Sequence, residues 1–89
     1  MMEVKLLEDQ NKFIAQKDGK VLGEITFEQR GGTIDFNHTF VDPEARGLGV
    51  GQLLVEAGAK YAQEHGQKVA ASCWYAKKIF DKNHAELLV

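Results

Sequence analysis

The hydrophobic pattern of the chain changes its period once, at Pro43, and this change constrains the fold more than any other feature. Between residues 3 and 41, short runs of alternating apolar and polar residues are separated by clusters of Asp, Asn and Gly. Alternation with a period of two is typical of strands that have one covered face. The first half of the chain therefore predicts four antiparallel strands joined as a meander.

In the fourth predicted strand, strict alternation assigns the side chains to two faces. Ile34, Phe36, His38 and Phe40 share one face, and the residues between them share the other. His38 is therefore predicted to lie among apolar neighbours. Two interpretations are open, a neutral core histidine with one hydrogen bond or a histidine that takes part in acid–base chemistry near neutral pH.

After Pro43 the apolar residues recur with the period of an α-helix that ends at Gly66. One amphipathic helix is therefore predicted, with its polar face in solvent. Its predicted buried face consists of Val50, Leu53, Leu54, Ala57, Gly58, Tyr61 and Ala62.

Residues 68–73 predict a fifth strand, which is nearly uncharged and is therefore expected to be central in the sheet. Residues 74–82 predict a short second helix. Because a strand–helix–strand unit is almost always right-handed, the fifth strand should run parallel to the fourth or to a near neighbour. The predicted fold class is α+β, with the element order ββββαβα.

Size and composition narrow the classes of function. The 89 residues leave room for one domain, residues 1–89, and the 44% hydrophobic content is typical of a folded chain. The net charge of −2, without a basic cluster, disfavours nucleic-acid binding. No apolar run approaches the roughly 20 residues of a membrane span, and the single cysteine cannot form an internal disulfide. We expect a cytoplasmic monomer or weak homodimer that binds neither membrane nor nucleic acid.

Gly47, Gly49 and Gly51 open the first helix without a residue that could cap it. A helix start leaves four backbone N–H donors unsatisfied, and Ser, Thr, Asp or Asn is the usual cap. Without such a cap the donors are open to an external anion, and Arg46 adds a positive charge. The alternative is that the glycines only form a tight turn. The fingerprints of dinucleotide-binding and P-loop sites are both absent.

The spacing Arg46-x-x-Gly49-x-Gly51, after a strand and at the start of an amphipathic helix, resembles the pyrophosphate loop Arg/Gln-x-x-Gly-x-Gly/Ala of GNAT acetyltransferases. In that family the loop binds coenzyme A. The resemblance implies a small GNAT-like fold that uses acetyl-CoA or coenzyme A. The loop residues that it assigns to cofactor binding are Arg46, Gly47, Leu48, Gly49, Val50 and Gly51.

A narrower resemblance involves Phe36-Asn37-His38-Thr39 and Cys73-Trp74-Tyr75. These segments are similar to the His-Thr and Cys-x-Tyr motifs of minimal, single-domain GNAT-like proteins, and together with the glycine loop they extend the resemblance over most of the chain. That subfamily often ends in a sequence like His-Pro-Glu-Tyr, whereas this chain reads His84-Ala85-Glu86-Leu87. The resemblance therefore assigns no role to His84.

Acetyl transfer to an amine needs a neutral nucleophile, donors for the developing oxyanion and a proton for the departing thiolate. By resemblance, the fourth strand diverges from the fifth near its end, and the backbone of Thr39, Phe40 and Val41 contacts pantetheine. A backbone N–H of this segment is the candidate donor to the oxyanion. His38 precedes the segment and is the candidate base.

Cys73 lies where the fifth strand meets the second helix. A thiol at a helix N-terminus has a lowered pKa and raised nucleophilicity, so Cys73 is a candidate to accept the acetyl group. The alternative is a small buried hydrophobe. By resemblance, Tyr75 protonates the leaving thiolate, but it also belongs to the apolar face of the second helix.

Together these residues predict an acetyl-CoA-dependent N-acetyltransferase, an acyltransferase whose acceptor is an unidentified amine. The first alternative is a module that binds coenzyme A or acyl-CoA without significant turnover and acts as a sensor or protein-interaction domain. The second is an unrelated α+β interaction domain, in which the glycines serve only as turn residues. No metal site is predicted.

Overall fold

Seven regular elements follow one another in the order that the sequence predicts. The computed structural model describes residues 2–89. The strands are β1 (Met2–Leu7), β2 (Lys12–Lys17), β3 (Lys20–Arg30), β4 (Thr33–Val41) and β5 (Lys68–Ala71), and the helices are α1 (Val50–Glu64) and α2 (Trp74–Asn83). Short 3-10 turns occupy Glu8–Gln10, Pro43–Ala45 and Ala85–Leu87. Within residues 2–89, neither helix is long and apolar enough to cross a membrane.

The five strands form one mixed sheet with the order β1-β2-β3-β4-β5. All neighbours are antiparallel except β4 and β5, which are parallel from the pair Thr33 and Lys68 to the pair Phe36 and Ala71. Both helices cover the same face, because Gly58 of α1 lies against the Phe36 ring and a ring of α2 stacks on it. The predicted α+β fold, a meander followed by a helix, a parallel strand and a short helix, is confirmed.

The prediction that β5 is central is wrong, because β5 is the last strand of the sheet. Its outer edge is partly covered by the segment that follows α2. Leu88 forms a parallel bridge with Val69, and the N–H of Val89 donates to the Val69 carbonyl at 3.0 Å. A nearly uncharged strand indicates that something covers it, but an irregular segment can provide that cover as well as another strand.

The buried face of α1 is rotated relative to the predicted one. Leu53 is 39% exposed, while Val55 and Ala59, which the predicted buried face did not include, are buried. The reason is the close approach of the helix at Gly58, where a Cβ atom would lie 2.6 Å from Cζ of Phe36. The helix therefore buries Val50, Leu54 and Val55 together with small residues such as Gly58 and Ala59, and Leu53 lies outside this face.

Strand β4 contains a β-bulge at Asn37. In the pairing with β3, Phe36 is opposite Phe27 but His38 is opposite Thr26, so Asn37 is an extra residue. A bulge reverses the alternation of side chains beyond it. Phe36 is fully buried, whereas His38 is exposed. The prediction that His38 lies among apolar neighbours is therefore wrong, because it assumed uninterrupted alternation.

Candidate functional site

A cleft opens where β4 and β5 diverge. Their pairing ends at Phe36 and Ala71, and the last backbone hydrogen bond comes from the Cys73 N–H, which donates to the Phe36 carbonyl at 3.1 Å. Beyond this point β4 continues to Val41, and within residues 2–89 no strand pairs with its outer edge. The resulting cleft has a volume of about 860 Å³. Its walls are the end of β4, the loop and first turn of α1, and residues 72–75.

This cleft brings together candidates from three separate parts of the sequence. Leu48 alone lies outside its lining, and that side chain is 57% exposed. Trp74, to which the sequence assigned no role, also lines the cleft and is 76% exposed. The predicted residues that line it are His38, Thr39, Phe40, Val41, Arg46, Gly47, Gly49, Val50, Gly51, Cys73 and Tyr75.

The start of α1 faces the cleft without a cap. Gly47 and Gly49 have φ values of +87° and +76°, in the left-handed region that favours glycine, and Gly49 is the N-cap residue. No side chain accepts a hydrogen bond there, and the first turn contains no acidic residue. The positive end of the helix dipole and its free N–H groups therefore face the cleft beside the exposed Arg46. This geometry suits an anionic ligand.

Gly51 has a different role from the other two glycines. A Cβ atom at this position would lie 2.7 Å from Cζ of Tyr75, so the absence of a side chain lets the phenol ring pack on the first turn of α1. Tyr75 comes from α2 and is half-buried. Gly51 thereby holds the Tyr75 hydroxyl next to the helix start that Gly49 leaves uncapped.

The Cys73 thiol lies between the end of β4 and the start of α2. Its Sγ atom is 3.4 Å from Oγ1 of Thr39, and Cys73 is the N-cap residue of α2. Burial raises the pKa of the Cys73 thiol, but the Thr39 hydroxyl and the backbone N–H groups of Ala76, Tyr75 and Thr39 together lower it further than burial raises it. The net result is a pKa below that of an ordinary thiol. Cys73 therefore forms a thiolate more readily than an ordinary cysteine does.

His38 lies at the rim of the cleft because of the bulge at Asn37. Its side chain is exposed and makes no side-chain hydrogen bond within residues 2–89. The Asn37 amide oxygen accepts a hydrogen bond from the Thr26 hydroxyl, which ties the bulge to β3. The buried core histidine is thus excluded, and the His38 ring is accessible from solvent.

A protein family described as GCN5-related N-acetyl-transferase matches residues 12–87. This range covers most of the chain and includes the whole lining of the cleft. The chain belongs to this family. The predicted GNAT-like identity is therefore confirmed, while the individual roles of the residues in the cleft stay predictions.

Several GNAT relatives are similar over different shares of the chain. The NMR structure of a GCN5-like protein from Staphylococcus aureus is 33% identical, has a TM-score of 0.75, and covers 98% of this chain and 87% of that one. The ribosomal-protein-S18-alanine N-acetyltransferase of Escherichia coli is 17% identical, with a TM-score of 0.72 over 89% of this chain and 54% of that one, and shows the shared fold. Protein NATD1 of Xenopus tropicalis is 33% identical over 51 residues, 57% of this chain and 47% of NATD1. The aligned segment thus spans about half of NATD1.

Sequence reasoning missed a buried carboxylate that supports the site of this GNAT chain. Asp35 is 3% exposed and accepts hydrogen bonds from the Ser72 hydroxyl at 2.8 and 2.9 Å and from the Ser72 N–H at 3.2 Å. Arg30 approaches the same carboxylate at 3.4 Å. These bonds fix the chain immediately before Cys73. The signal in the sequence was a lone Asp between two core residues of a strand, because a buried carboxylate needs partners.

His84 does not belong to the cleft. Its Nε2 atom is 2.7 Å from Oε1 of Glu56, so it links the end of α2 to the middle of α1. The ring also lies edge-on to Phe80, at a centroid distance of 6.1 Å. The contacts of His84 are therefore those of a residue that joins the two helices.

Proposed function

We propose that this chain transfers an acetyl group from acetyl-CoA to the nitrogen of an amine. One observation carries the proposal: an uncapped helix start, a strand edge without a partner in residues 2–89, and a thiol of lowered pKa lie in the same cleft. These features fit the pyrophosphate, the pantetheine and the thioester of acetyl-CoA. Membership of the GCN5-related family supports the same assignment.

The pyrophosphate is assigned to the start of α1. Its negative charge would meet the free N–H groups of the first turn, the positive end of the helix dipole and the Arg46 guanidinium. Gly47 and Gly49 expose the backbone there, because neither has a side chain to keep a phosphate oxygen at a distance.

Pantetheine is assigned to the outer edge of β4 along residues 39–41. Its amide groups can pair with the exposed backbone in the way that an added strand does. Thr39 and Val41 are half-buried, and their backbone faces the cleft on the side away from β3. This position leads from the helix start toward Cys73, where the thioester would lie.

In direct transfer, the amine nitrogen attacks the acetyl carbon, the carbon–sulfur bond breaks and the departing thiolate takes a proton. We assign the proton lost by the amine to His38 and the proton gained by the thiolate to the Tyr75 hydroxyl. A backbone N–H of residues 39–41 stabilises the oxyanion. Cys73 then serves as a wall of the cleft.

A covalent route uses the Cys73 thiolate as the nucleophile. It attacks the acetyl carbon, and coenzyme A leaves as the thiolate. The amine then attacks the acetyl-cysteine, the bond between the acetyl carbon and Sγ breaks, and the departing Cys73 thiolate takes the proton that the amine loses. The lowered pKa of the thiol supports this route. Intact-protein mass spectrometry after incubation with acetyl-CoA, without an acceptor, separates the routes. A single acetyl adduct in the wild type and none in Cys73→Ala indicates the covalent route, whereas turnover by Cys73→Ala without any wild-type adduct indicates direct transfer.

A second candidate function is a module that binds coenzyme A without turnover. It is supported by the short connection between β1 and β2, which consists of one 3-10 turn at Glu8–Gln10 followed by Asn11. By resemblance, larger GNAT domains place helices at this point and build the acceptor wall from them. Release of free thiol from acetyl-CoA in the presence of a panel of amines distinguishes the two candidates. Binding without release for every amine favours the module.

Titration calorimetry with coenzyme A and acetyl-CoA tests the placement of the pyrophosphate. Arg46→Glu sets like charge against the phosphates, and Gly49→Val blocks close approach to the backbone. Each should weaken binding by more than about 1 kcal/mol. Lys60→Glu on the exposed face of α1 carries the same charge change away from the cleft, and Gly31→Val imposes the same backbone strain at a remote turn with φ of +65°.

Both control variants should bind like the wild type. Circular dichroism shows whether Gly49→Val remains folded, so that lost binding is not confused with unfolding. Wild-type affinity in both Arg46→Glu and Gly49→Val would remove the phosphate site from the start of α1.

A further inference from the structure

The two edges of the sheet differ in how they are protected. The outer edge of β5, a strand of four residues, is partly covered by Leu88 and Val89. Strand β1 is longer, with six residues that pair with β2 without a bulge, and within residues 2–89 nothing pairs with its outer edge. It contains no Pro or Gly. A regular, uncovered edge strand is a template for another strand.

The side chains of β1 alternate in a way that suits a second copy of the same strand. Met2, Val4 and Leu6 are half-buried and pack against the core, while Glu3 and Lys5 between them are exposed. When two copies run antiparallel with Val4 opposite Val4, Glu3 of each copy lies opposite Lys5 of the other. Met2 of each copy then lies opposite Leu6 of the other. Opposite charges and apolar pairs both stabilise such cross-strand neighbours.

Charge pairing and the alternation of side chains favour this register over the neighbouring registers. A shift by two residues in one direction places Lys5 opposite Lys5, and a shift in the other direction places Glu3 opposite Glu3, and like charges in directly opposite positions are destabilising. A shift by one residue would join the helix-covered face of one copy to the open face of the other. Only the register centred on Val4 satisfies both the charges and the apolar residues.

We propose that β1 mediates a symmetric antiparallel homodimer centred on Val4. The two sheets then join into one sheet of ten strands, with the helices of both copies on the same face. In each copy, the cleft between β4 and β5 lies at the end of the strand order away from β1, so both clefts stay open. The contact is a single strand about 20 Å long, and such a small interface forms a dimer in exchange with monomer.

Sedimentation velocity over a range of concentrations up to 1 mM, with the untagged chain at low ionic strength, tests the proposal. The wild type should shift from monomer to dimer within this range. Glu3→Lys and Lys5→Glu each create two like-charge pairs, by symmetry, and should weaken the dimer roughly tenfold. The double variant Glu3→Lys/Lys5→Glu restores opposite charges and should recover the wild-type affinity. Lys60→Glu on α1 is the charge control and should leave the dimer unchanged.

Disulfide cross-linking tests the register separately. In a Cys73→Ala background, Val4→Cys places two thiols directly opposite each other, and the shortest Cβ distances of cross-strand pairs reach those of disulfides. In Lys5→Cys, the thiol of each copy lies opposite residue 3 of the other copy, so the two thiols are two residues apart along the strands. Mild oxidation should cross-link the first variant and leave the second largely monomeric. A wild type that remains monomeric at 1 mM, a double variant that does not recover, or efficient cross-linking at Lys5→Cys would overturn the proposal.

Discussion

Residues 33–36 and residues 37–41 of β4 differ in what surrounds them. The first group pairs with β3 on one side and β5 on the other, and its three consecutive residues Ile34, Asp35 and Phe36 are all buried. The second group pairs with β3 alone, and Phe40 within it is 51% exposed. One strand thus has a first half that is paired on both sides and a second half whose outer edge is open. We call residues 33–36 the anchored half and residues 37–41 the open half. The change occurs where two features meet: the bulge at Asn37 and the end of the pairing between β4 and β5.

The comparison shows that the site forms where the regular pairing of β4 with its neighbouring strands is interrupted. Before Asn37, the backbone pairs with a strand on each side, and the side chains of residues 34–36 are buried. After it, the outer backbone edge is exposed to the cleft together with the uncapped start of α1. A ligand can supply the partners that the fold leaves out at both places.

The largest expected effect lies in the anchored half of β4. Phe36 is fully buried between both helices and the sheet, so Phe36→Ala should lower the free energy of unfolding by about 3–5 kcal/mol. Phe40→Ala, on the open half of the same strand, is the matched control and should cost less than about 1 kcal/mol. Urea denaturation followed by circular dichroism measures both. Equal losses would break the distinction between the two halves.

The element order and the start of α1 could be predicted because they depend on short-range patterns, whereas the divergence of β4 and β5 was expected from the resemblance to GNAT proteins. Turn residues separate the strands, the period changes at Pro43, and Gly49 and Gly51 mark the start of α1. Every predicted site residue except Leu48 lines the cleft. Leu48 does not line the cleft although it lies inside the glycine motif, because a spacing motif specifies the backbone of a loop and not the contacts of each side chain.

The remaining features depend on contacts between distant segments. Nothing in the residues around Asn37 reveals that it is an extra residue, since the bulge appears only in the register with β3. The exposure of Leu53 follows from the close packing at Gly58, and the partial cover of the edge strand β5 comes from the segment around Leu88. A local pattern cannot show which partner covers a residue.

The next effect concerns the first side chain after the bulge. If His38 takes the proton of the amine, His38→Gln should lower the transfer rate by about a hundredfold or more. Because the side chain is exposed, stability should change by no more than about 0.5 kcal/mol. Steady-state kinetics with an accepted amine measures the rate, and a His38→Gln variant with the wild-type rate would exclude His38 as the base.

Two glycines of α1 provide a smaller test of the same comparison. At Gly58, a new Cβ would press on the Phe36 ring, which the core encloses, and overpacking of this kind costs about 1–3 kcal/mol. The better helix propensity of Ala returns at most about 1 kcal/mol. Gly58→Ala should therefore reduce stability and leave the affinity for coenzyme A unchanged.

At Gly51, the new Cβ would press on the half-buried Tyr75 ring, which can swing toward the cleft. Gly51→Ala should therefore reduce transfer with little loss of stability. Thermal unfolding should show the larger loss of stability in Gly58→Ala, and steady-state kinetics should show the larger loss of transfer in Gly51→Ala. A stability loss at Gly51→Ala as large as that at Gly58→Ala would show that the first turn of α1 belongs to the rigid core.

The smallest effect is a shift in the titration of the Cys73 thiol. Burial raises its pKa, and the Thr39 hydroxyl is the first of the hydrogen bonds that lower it below the ordinary value. Thr39→Val removes that hydroxyl and leaves both the burial and the backbone donors in place. The pKa of the thiol should therefore rise, and the pH at which iodoacetamide alkylates half-maximally should rise with it, because only the thiolate reacts.

The same hydrogen bond makes a pH-dependent contribution to stability. A thiol whose pKa is lower in the folded than in the unfolded chain stabilises the fold above the unfolded value, and this contribution disappears as the pH falls through the folded value. Thr39→Val should therefore lose stability relative to the wild type mainly at alkaline pH. Thr33→Val, in the anchored half of β4, is the matched control and should leave the alkylation profile of Cys73 unchanged. If Thr39→Val and the wild type give the same profile, the Thr39 hydroxyl does not lower the pKa of the thiol, and only the backbone donors remain to lower it.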